Sequence, residues 1–282
     1  MLTSLLLSLR EGLEAALIIG ILLGALRQIK RRDLAPAVWS GTILALVVSL
    51  LAAVGLTVLG LSFEGPAEMI FEGFTMLLAA VVLTWMIFWM SKQAQTLKSG
   101  LEGDVQKATR SGRGGLFLLA FFAVVREGIE LALFLAAATF TADSRQTLIG
   151  ALLGLACAAL LGLLLFASTL RLNLRRFFLV TGFLLLLFAA GLVAHGVHEF
   201  NEVGWIPSIV EHVWNLNPLL DENSSLGQLL KSLLGYNGNP SLSEVLAYAA
   251  YLLSVILGLR SAGRKRAKPV NGQAGQAISA RN

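Results

Sequence analysis

The sequence predicts an all-α integral membrane protein with seven transmembrane helices. Of its 282 residues, 56% are hydrophobic and only 14% are charged, whereas a soluble domain has about 25% charged residues. Seven segments are apolar over about 20 residues, which is the length that a helix needs to cross a bilayer. The basic residues are concentrated in every second connection between these segments, as the topology of membrane proteins requires.

The predicted spans follow one another with short connections, except before the last. They cover residues 3–26, 38–61, 68–90, 115–139, 147–169, 177–200 and 243–259. The first span is not a secretory signal, because no basic region precedes it and charged residues interrupt its apolar stretch. We therefore expect one transmembrane domain over 1–260. A basic, polar tail over 261–282 is expected to be disordered.

The orientation follows from the positions of lysine and arginine. Eighteen of the 22 basic residues lie in the connections after spans one, three and five or in the C-terminal tail. Only Arg145 and Lys231 lie in the other connections. Because basic connections stay in the cytoplasm, the N-terminus is predicted outside, the segment 201–242 is an external loop, and the tail is cytoplasmic. This topology explains the net charge of +5 without a nucleic-acid partner.

Two charged motifs inside apolar spans are the most informative feature of the chain. Residues 10–14 read Arg-Glu-Gly-Leu-Glu in span one, and residues 126–130 read Arg-Glu-Gly-Ile-Glu in span four. Each ionised side chain near the centre of a bilayer costs about 2.5–3.5 kcal/mol, so six such charges indicate a function. Four glutamates against two arginines leave two formal negative charges, which indicates a site for a cation.

Each residue type in the motifs predicts a role. Carboxylate oxygens are hard ligands that suit hard cations, so the predicted ligands are Glu11, Glu14, Glu127 and Glu130. Arg10 and Arg126 have no lone pair to offer and are expected to keep the carboxylates ionised and oriented. Gly12 and Gly128 begin stripes of small residues that allow close helix packing, and they also tolerate local unwinding. The alternative is that two structural Arg–Glu pairs lock the helices together.

The spacing of the motifs predicts an inverted repeat. The motifs lie 116 residues apart in spans one and four, so the equivalent spans cross the membrane in opposite directions. This pattern is typical of two three-span halves, here followed by one C-terminal helix, with the cation site at their interface near the midplane.

A second group of candidate ligands lies toward the outer ends of spans three and six. Three glutamates recur at four-residue spacing from Glu64 in span three, and two histidines three residues apart end span six. Side chains at these spacings share one helical face. The predicted metal-entrance site comprises Glu68, Glu72, His195, His198 and Glu199. Solvated glutamates at a helix end and hydrogen-bonded interfacial histidines are the alternative.

Three local patterns complete the prediction. Trp85 and Trp89 lie near the inner end of span three and are expected to belong to an aromatic belt. Ser241 followed by Glu244 predicts a capping box at the start of span seven. The single Cys157 offers neither a disulfide framework nor a thiolate metal cluster.

The doubled motif resembles the oxidase-dependent iron permeases, most closely their bacterial EfeU-type branch. Further similar stretches are Phe-Glu-Gly at 71–73, Leu-Thr-Trp-Met at 83–86, Phe-Phe-Ala-Val at 121–124 and Leu-Asn-Leu at 172–174. The resemblance covers nearly the whole chain. It implies high-affinity uptake of iron, as ferric ion, across the bacterial inner membrane. It also implies that the motif glutamates bind iron, and that a periplasmic oxidase or iron-binding protein delivers it.

Under this resemblance the chain is not an enzyme, and iron is a transported substrate rather than a resident cofactor. Three alternatives remain open. One is a permease for another cation, such as lead or manganese. A second is an intramembrane di-iron carboxylate enzyme, although such bundles favour Glu-x-x-His on two helices, whereas both motifs here are Glu-x-x-Glu. The third is a structural or sensor protein that binds metal without moving it.

Overall fold

The computed structural model describes residues 1–93, 108, 112–166, 173–208, 210–222 and 224–266, and the regular structure of these residues is helical. It consists of eight α-helices, with a 3-10 turn at Arg32–Leu34 before the second. The helices are α1 (Leu2–Gln28), α2 (Ala35–Leu61), α3 (Pro66–Gln93), α4 (Gly112–Thr141), α5 (Ser144–Phe166), α6 (Leu174–Glu202), α7 (Ser225–Leu234) and α8 (Leu242–Arg266). The prediction of an all-α fold is confirmed.

Seven of these helices correspond to the seven predicted segments, and residues 167–169 at the end of the fifth segment lie outside the described part of the chain. By length and composition, five are candidate membrane spans, namely Arg32–Gly60, Pro66–Met90, Ser144–Phe166, Arg176–Glu202 and Leu242–Ser261. The other two long helices, α1 and α4, carry the charged motifs in their middle. The protein is therefore a helical, multi-pass membrane protein.

The helix ends show why the chain turns where it does. Pro36 lies in the first turn of α2, where its missing N–H would have had no helical partner. Asn173 caps α6 by accepting a hydrogen bond from the backbone N–H of Arg176 at 3.2 Å. The predicted capping box at the start of α8 is confirmed, because Ser241 Oγ accepts from the Glu244 N–H at 3.3 Å and Glu244 Oε1 accepts from the Ser241 N–H at 3.2 Å.

Two features of the segment 201–242 and of the C-terminal region were not expected from the sequence. The segment 201–242 contains the amphipathic helix α7, which begins at the Ser224 cap and ends at Gly235 with a φ of 69°. Its ten residues are too few for a strong periodic signal. Helix α8 continues to Arg266, six residues into the segment expected as a tail, and residues 267–282 lie outside the described part of the chain.

The long helices pack in pairs that relate the first three to the next three. Helix α1 packs along α5, α2 along α4, and α3 against α6, while α1 also packs against α4. Exchanging α1, α2 and α3 with α4, α5 and α6 leaves this set of pairs unchanged. Helix α8 packs on α6, and α7 packs against both α6 and α1.

Small residues let the paired helices approach closely. A Cβ added to Gly12 of α1 would lie 2.8 Å from the Cβ of Ala158 on α5, and a Cβ on Gly128 of α4 would collide with Ser49 of α2. Because lipid tails are as apolar as leucine, close packing rather than water exclusion holds such helices together. Both motif glycines therefore lie at close contacts with a neighbouring helix.

The main buried core lies between α3 and α6. Its α3 residues include Met76, Ala79, Ala80 and Leu83, and its α6 residues include Leu185, Phe188, Ala189 and Leu192. Leu7 of α1 and Phe134 of α4 also belong to this core. The helices that carry the two motifs are therefore anchored on one α3–α6 framework.

Candidate metal centre

The two motifs lie where α1 and α4 pack against each other. The glycine of each motif faces a different neighbouring helix, α5 for Gly12 and α2 for Gly128. The three-residue spacing of the glutamates puts both on another face of the same helix. Glu11, Glu14 and Glu127 are all buried, so the pairing of α1 with α4 brings carboxylates from both helices into the protein interior.

Three of the predicted ligands form a group small enough to hold one metal ion. One carboxylate oxygen from each of Glu11, Glu14 and Glu127 lies within 4.8 Å of the others. Among the described residues, no other three histidine, cysteine, aspartate or glutamate side chains come together in this way. The fourth predicted ligand, Glu130, lies next to this group through Arg126, which contacts both Glu127 and Glu130.

Many oxygens of the four carboxylates are left without hydrogen bonds. Both oxygens of Glu11 are buried and make no hydrogen bond, and the same is true of one oxygen each on Glu14, Glu127 and Glu130. A buried polar group without a partner is costly, and nearly all such groups in proteins are paired. Oxygens that converge without partners are the arrangement that a cation can satisfy.

The arginines neutralise the carboxylates only in part. Arg10 Nε lies 3.2 Å from Glu14 Oε1, but neither atom makes a hydrogen bond. Arg126 Nε donates to Glu130 Oε1 at 2.9 Å, while its Nη2 is 3.7 Å from Glu127 Oε1. Two positive charges therefore face four potential negative charges.

The remaining repulsion is large enough to matter. Two ionised carboxylates whose oxygens are at most 4.8 Å apart repel each other by about 3.5 kcal/mol or more at an effective dielectric constant of about 20. A divalent or trivalent cation between them would reverse the sign of this energy. The electrostatics and the donor atoms both fit a hard metal ion.

The two arginines differ in their surroundings. The Arg10 side chain is 1% exposed and donates from Nη2 to the Met90 sulfur at 3.1 Å. The Arg126 side chain is 42% exposed, and its guanidinium lies over the Trp89 ring, 4.6 Å from the ring centroid. The prediction that Trp89 belongs only to an aromatic belt missed this contact, because no spacing in the sequence connects position 89 with position 126.

The predicted entrance residues do not form a second compact group. Glu72 lies within electrostatic range of Glu68 and Glu199. The Nδ1 atom of His195 is 3.0 Å from the carbonyl oxygen of Gly191 on its own helix. That of His198 is 3.0 Å from Glu244 Oε1. Both histidines thus have a structural partner through Nδ1.

Glu244 is a residue whose full role the sequence did not reveal. Besides Ser241 and His198, its carboxylate accepts a hydrogen bond from Asn237 Nδ2 at 2.7 Å. The capping signal predicted the contact with Ser241 but could not predict His198, which is 46 positions away. Glu244 therefore ties the C-terminal end of α6 to the N-terminal end of α8.

The eight helices in the described part of the chain, five of them long and apolar enough to cross a membrane, define a class, the multi-pass helical membrane proteins. Residues 1–262 match the iron permease FTR1 family, and the chain belongs to this family. It is 37% identical over 257 residues to the ferrous iron permease EfeU of Yersinia pestis, covering 89% of this chain and 90% of that protein.

A second relative is the ferrous iron permease EfeU of Escherichia coli O6:K15:H31. It is 36% identical over 255 residues, which cover 89% of this chain and 92% of the relative. No solved structure matches the chain. The family and these relatives are permeases, so the chain is a transporter rather than an enzyme, and iron is its transported substrate.

Proposed function

We propose that the chain takes up iron across the bacterial inner membrane, holding the ion between Glu11, Glu14, Glu127 and Glu130. The observation that carries this proposal is the group of three buried carboxylates, which combines oxygens from both motifs within 4.8 Å. Glu130 supplies the fourth carboxylate, since one of its oxygens is buried without a partner. Arg10 and Arg126 orient the ligands and limit their repulsion.

All seven long helices cross the membrane in this proposal. Helices α1 and α4 contain 27 and 30 residues, which is ample for a bilayer. Arg10, Glu11, Glu14 and Glu127 are buried in the helix bundle, where they escape most of the cost of contact with lipid. The Arg126 side chain is 42% exposed, and its guanidinium is partly covered by the Trp89 ring. The N-terminus then lies outside, α7 lies on the external side, and α8 ends in the cytoplasm, in agreement with the distribution of basic residues.

The packing register supports an inverted repeat. Gly12 of α1 meets Ala158 of α5, and the equivalent Gly128 of α4 meets Ser49 of α2. The two partners, Ser49 and Ala158, are 109 residues apart. Each motif glycine therefore contacts an equivalent position on the second helix of the other half. The same offset relates the buried α3 residues Met76, Ala79, Ala80 and Leu83 to Leu185, Phe188, Ala189 and Leu192 of α6.

The halves differ in a way that supports a direction of transport. At the offset of 109 residues, Glu72 corresponds to Thr181, and the outer residues His195 and Glu199 correspond to Met86 and Met90. Ionisable groups are therefore concentrated at the outer end of the α3–α6 pair. In the proposal, Glu68, Glu72 and Glu199 attract the cation through their field. His195 and His198 have structural Nδ1 partners and assist only through their other nitrogens.

The oxidation state of the ion at the site follows from ligand chemistry in this proposal. The relatives are named ferrous iron permeases, whereas a set of carboxylates alone favours the harder ferric ion. The names of the relatives and the preference of the ligands agree if a partner oxidase outside the cell membrane oxidises ferrous iron, which then enters the site as ferric ion. Lead or manganese remains the alternative cargo, because carboxylates alone do not select strongly among such cations.

Uptake of radioactive iron into proteoliposomes that contain only the purified chain tests the proposal. Ferric and ferrous iron are supplied separately, with manganese and lead as competitors. The proposal predicts saturable iron uptake that excess manganese does not abolish. Equal accumulation in liposomes with and without the protein would contradict it, and so would transport of manganese with no transport of iron.

A further inference from the structure

The last turns of α3 contact both motif arginines. The Met90 sulfur accepts a hydrogen bond from Arg10 Nη2 at 3.1 Å, and the neighbouring Trp89 lies beneath the Arg126 guanidinium at 4.6 Å. The arginines come from α1 and α4, so two adjacent residues of a third helix link both motifs. Trp89 and Met90 are together called the arginine clamp below.

The clamp contacts the arginines without using any carboxylate oxygen. A thioether sulfur is a weak hydrogen-bond acceptor, and an aromatic ring attracts a cation through its face. Arg10 Nη2 is thereby directed to sulfur, while Arg10 Nε and Glu14 Oε1 stand 3.2 Å apart without a hydrogen bond. Arg126 Nη2 likewise stays 3.7 Å from Glu127, which is too far for a hydrogen bond.

An unrestrained arginine would behave differently. Guanidinium groups form bidentate pairs with carboxylates, in which two parallel N–H groups occupy both oxygens. Such pairs at Glu14 and Glu127 would use the lone pairs that a metal ion needs. The geometry points to a positioning role: we propose that Trp89 and Met90 hold Arg10 and Arg126 away from full pairing, and so preserve the affinity of the carboxylates for the transported cation.

The location of the clamp agrees with this role. Trp89 is 17 positions after Glu72 on α3, or about 26 Å along the helix axis, so the clamp lies at the end of α3 opposite the outer glutamates. Trp85, one turn earlier, is 74% exposed and fits an aromatic belt. Trp89 is instead partly buried against the α3–α6 core. The two tryptophans therefore provide a test position and a control on the same helix.

The clamp rests on the proposed function, and its test measures the concentration dependence of iron uptake into proteoliposomes. Trp89→Leu removes the aromatic face, so the apparent KM for iron should rise about 2- to 30-fold, the range expected for a lost cation–π contact. The maximal rate per molecule should change much less. Met90→Leu should shift KM in the same direction, and Trp89→Phe should give an intermediate value. Trp85→Leu is the matched control and should match the wild type.

A series of fluorinated tryptophans at position 89 separates the clamp from simple packing. Fluorination keeps the shape of the ring but weakens its attraction for cations, so KM should rise step by step with the number of fluorines. An unchanged KM across this series, or equal effects of Trp89→Leu and Trp85→Leu, would overturn the clamp while wild-type transport stood. Absence of iron transport by the wild type would refute the proposed function instead.

Discussion

Replacing Glu11 by glutamine should stabilise the iron-free protein and weaken its response to iron. The Glu11 side chain is 1% exposed, and both of its oxygens lack hydrogen bonds. Its charge is repelled by Glu14 and Glu127, whose oxygens lie within 4.8 Å. Each ionised pair costs about 3.5 kcal/mol at an effective dielectric constant of about 20. Glutamine keeps the volume of the side chain and removes both repulsions.

Protonation limits how much of this energy the folded protein can store. At pH 7 a glutamate can take up a proton from solution at a cost of about 3.7 kcal/mol, so the repulsion on one carboxylate cannot exceed about this value. We therefore expect Glu11→Gln to raise the free energy of unfolding of the iron-free protein by about 1–3 kcal/mol. At about 2–4 °C per kcal/mol for chains approaching this size, Tm rises by several degrees.

The assay is thermal unfolding of purified protein in detergent, with and without iron. Ligand at 100 times its Kd stabilises a protein by about 2.7 kcal/mol, so iron should raise the Tm of the wild type clearly and that of Glu11→Gln little. Glu64→Gln, the same substitution at an exposed position, should leave both values unchanged. A lower iron-free Tm for Glu11→Gln, together with an undiminished response to iron, would refute the reasoning.

Three other predictions test separate parts of the account. In a Cys157→Ala background, an impermeant thiol reagent should label Ser62→Cys but not Ser261→Cys in intact cells; the reverse pattern would invert the topology. Replacing Glu68 and Glu199 together by glutamine should raise the apparent KM for iron, and the effect should shrink at high salt because the field is screened; an unchanged KM would remove both from the entrance. Gly12→Val should reduce the amount of folded protein, since its side chain would collide with α5, and a normal yield of active protein would show that this close approach is not required.

The sequence was informative about the fold because a bilayer restricts what a span can be. Apolar length located all seven long helices, and the two motifs indicated which helices carry the candidate ligands. Four-residue spacing of small residues predicted the role of Gly12 and Gly128 in packing. Each of these signals is local or depends only on crossing order, so it can be read without knowing which helices are neighbours.

The sequence could not predict contacts between helices that are distant in sequence. The clamp joins Met90 to Arg10, 80 positions away. Helix α7 was missed for a different reason, because it is short and its caps involve only a few residues. His198 was interpreted by its position on α6, whereas its Nδ1 partner Glu244 comes from α8. Such pairings depend on how α3, α6 and α8 pack, which hydrophobic patterns do not specify.

The central claim is that the motif carboxylates of both halves bind the iron that is transported. It is tested most directly by measuring iron uptake and membrane abundance on the same proteoliposomes for Glu14→Gln, Glu130→Gln and the double variant. Glutamine keeps side-chain volume but removes the charge, so the account predicts normal insertion and near-complete loss of uptake. Normal uptake per molecule in the double variant would contradict it.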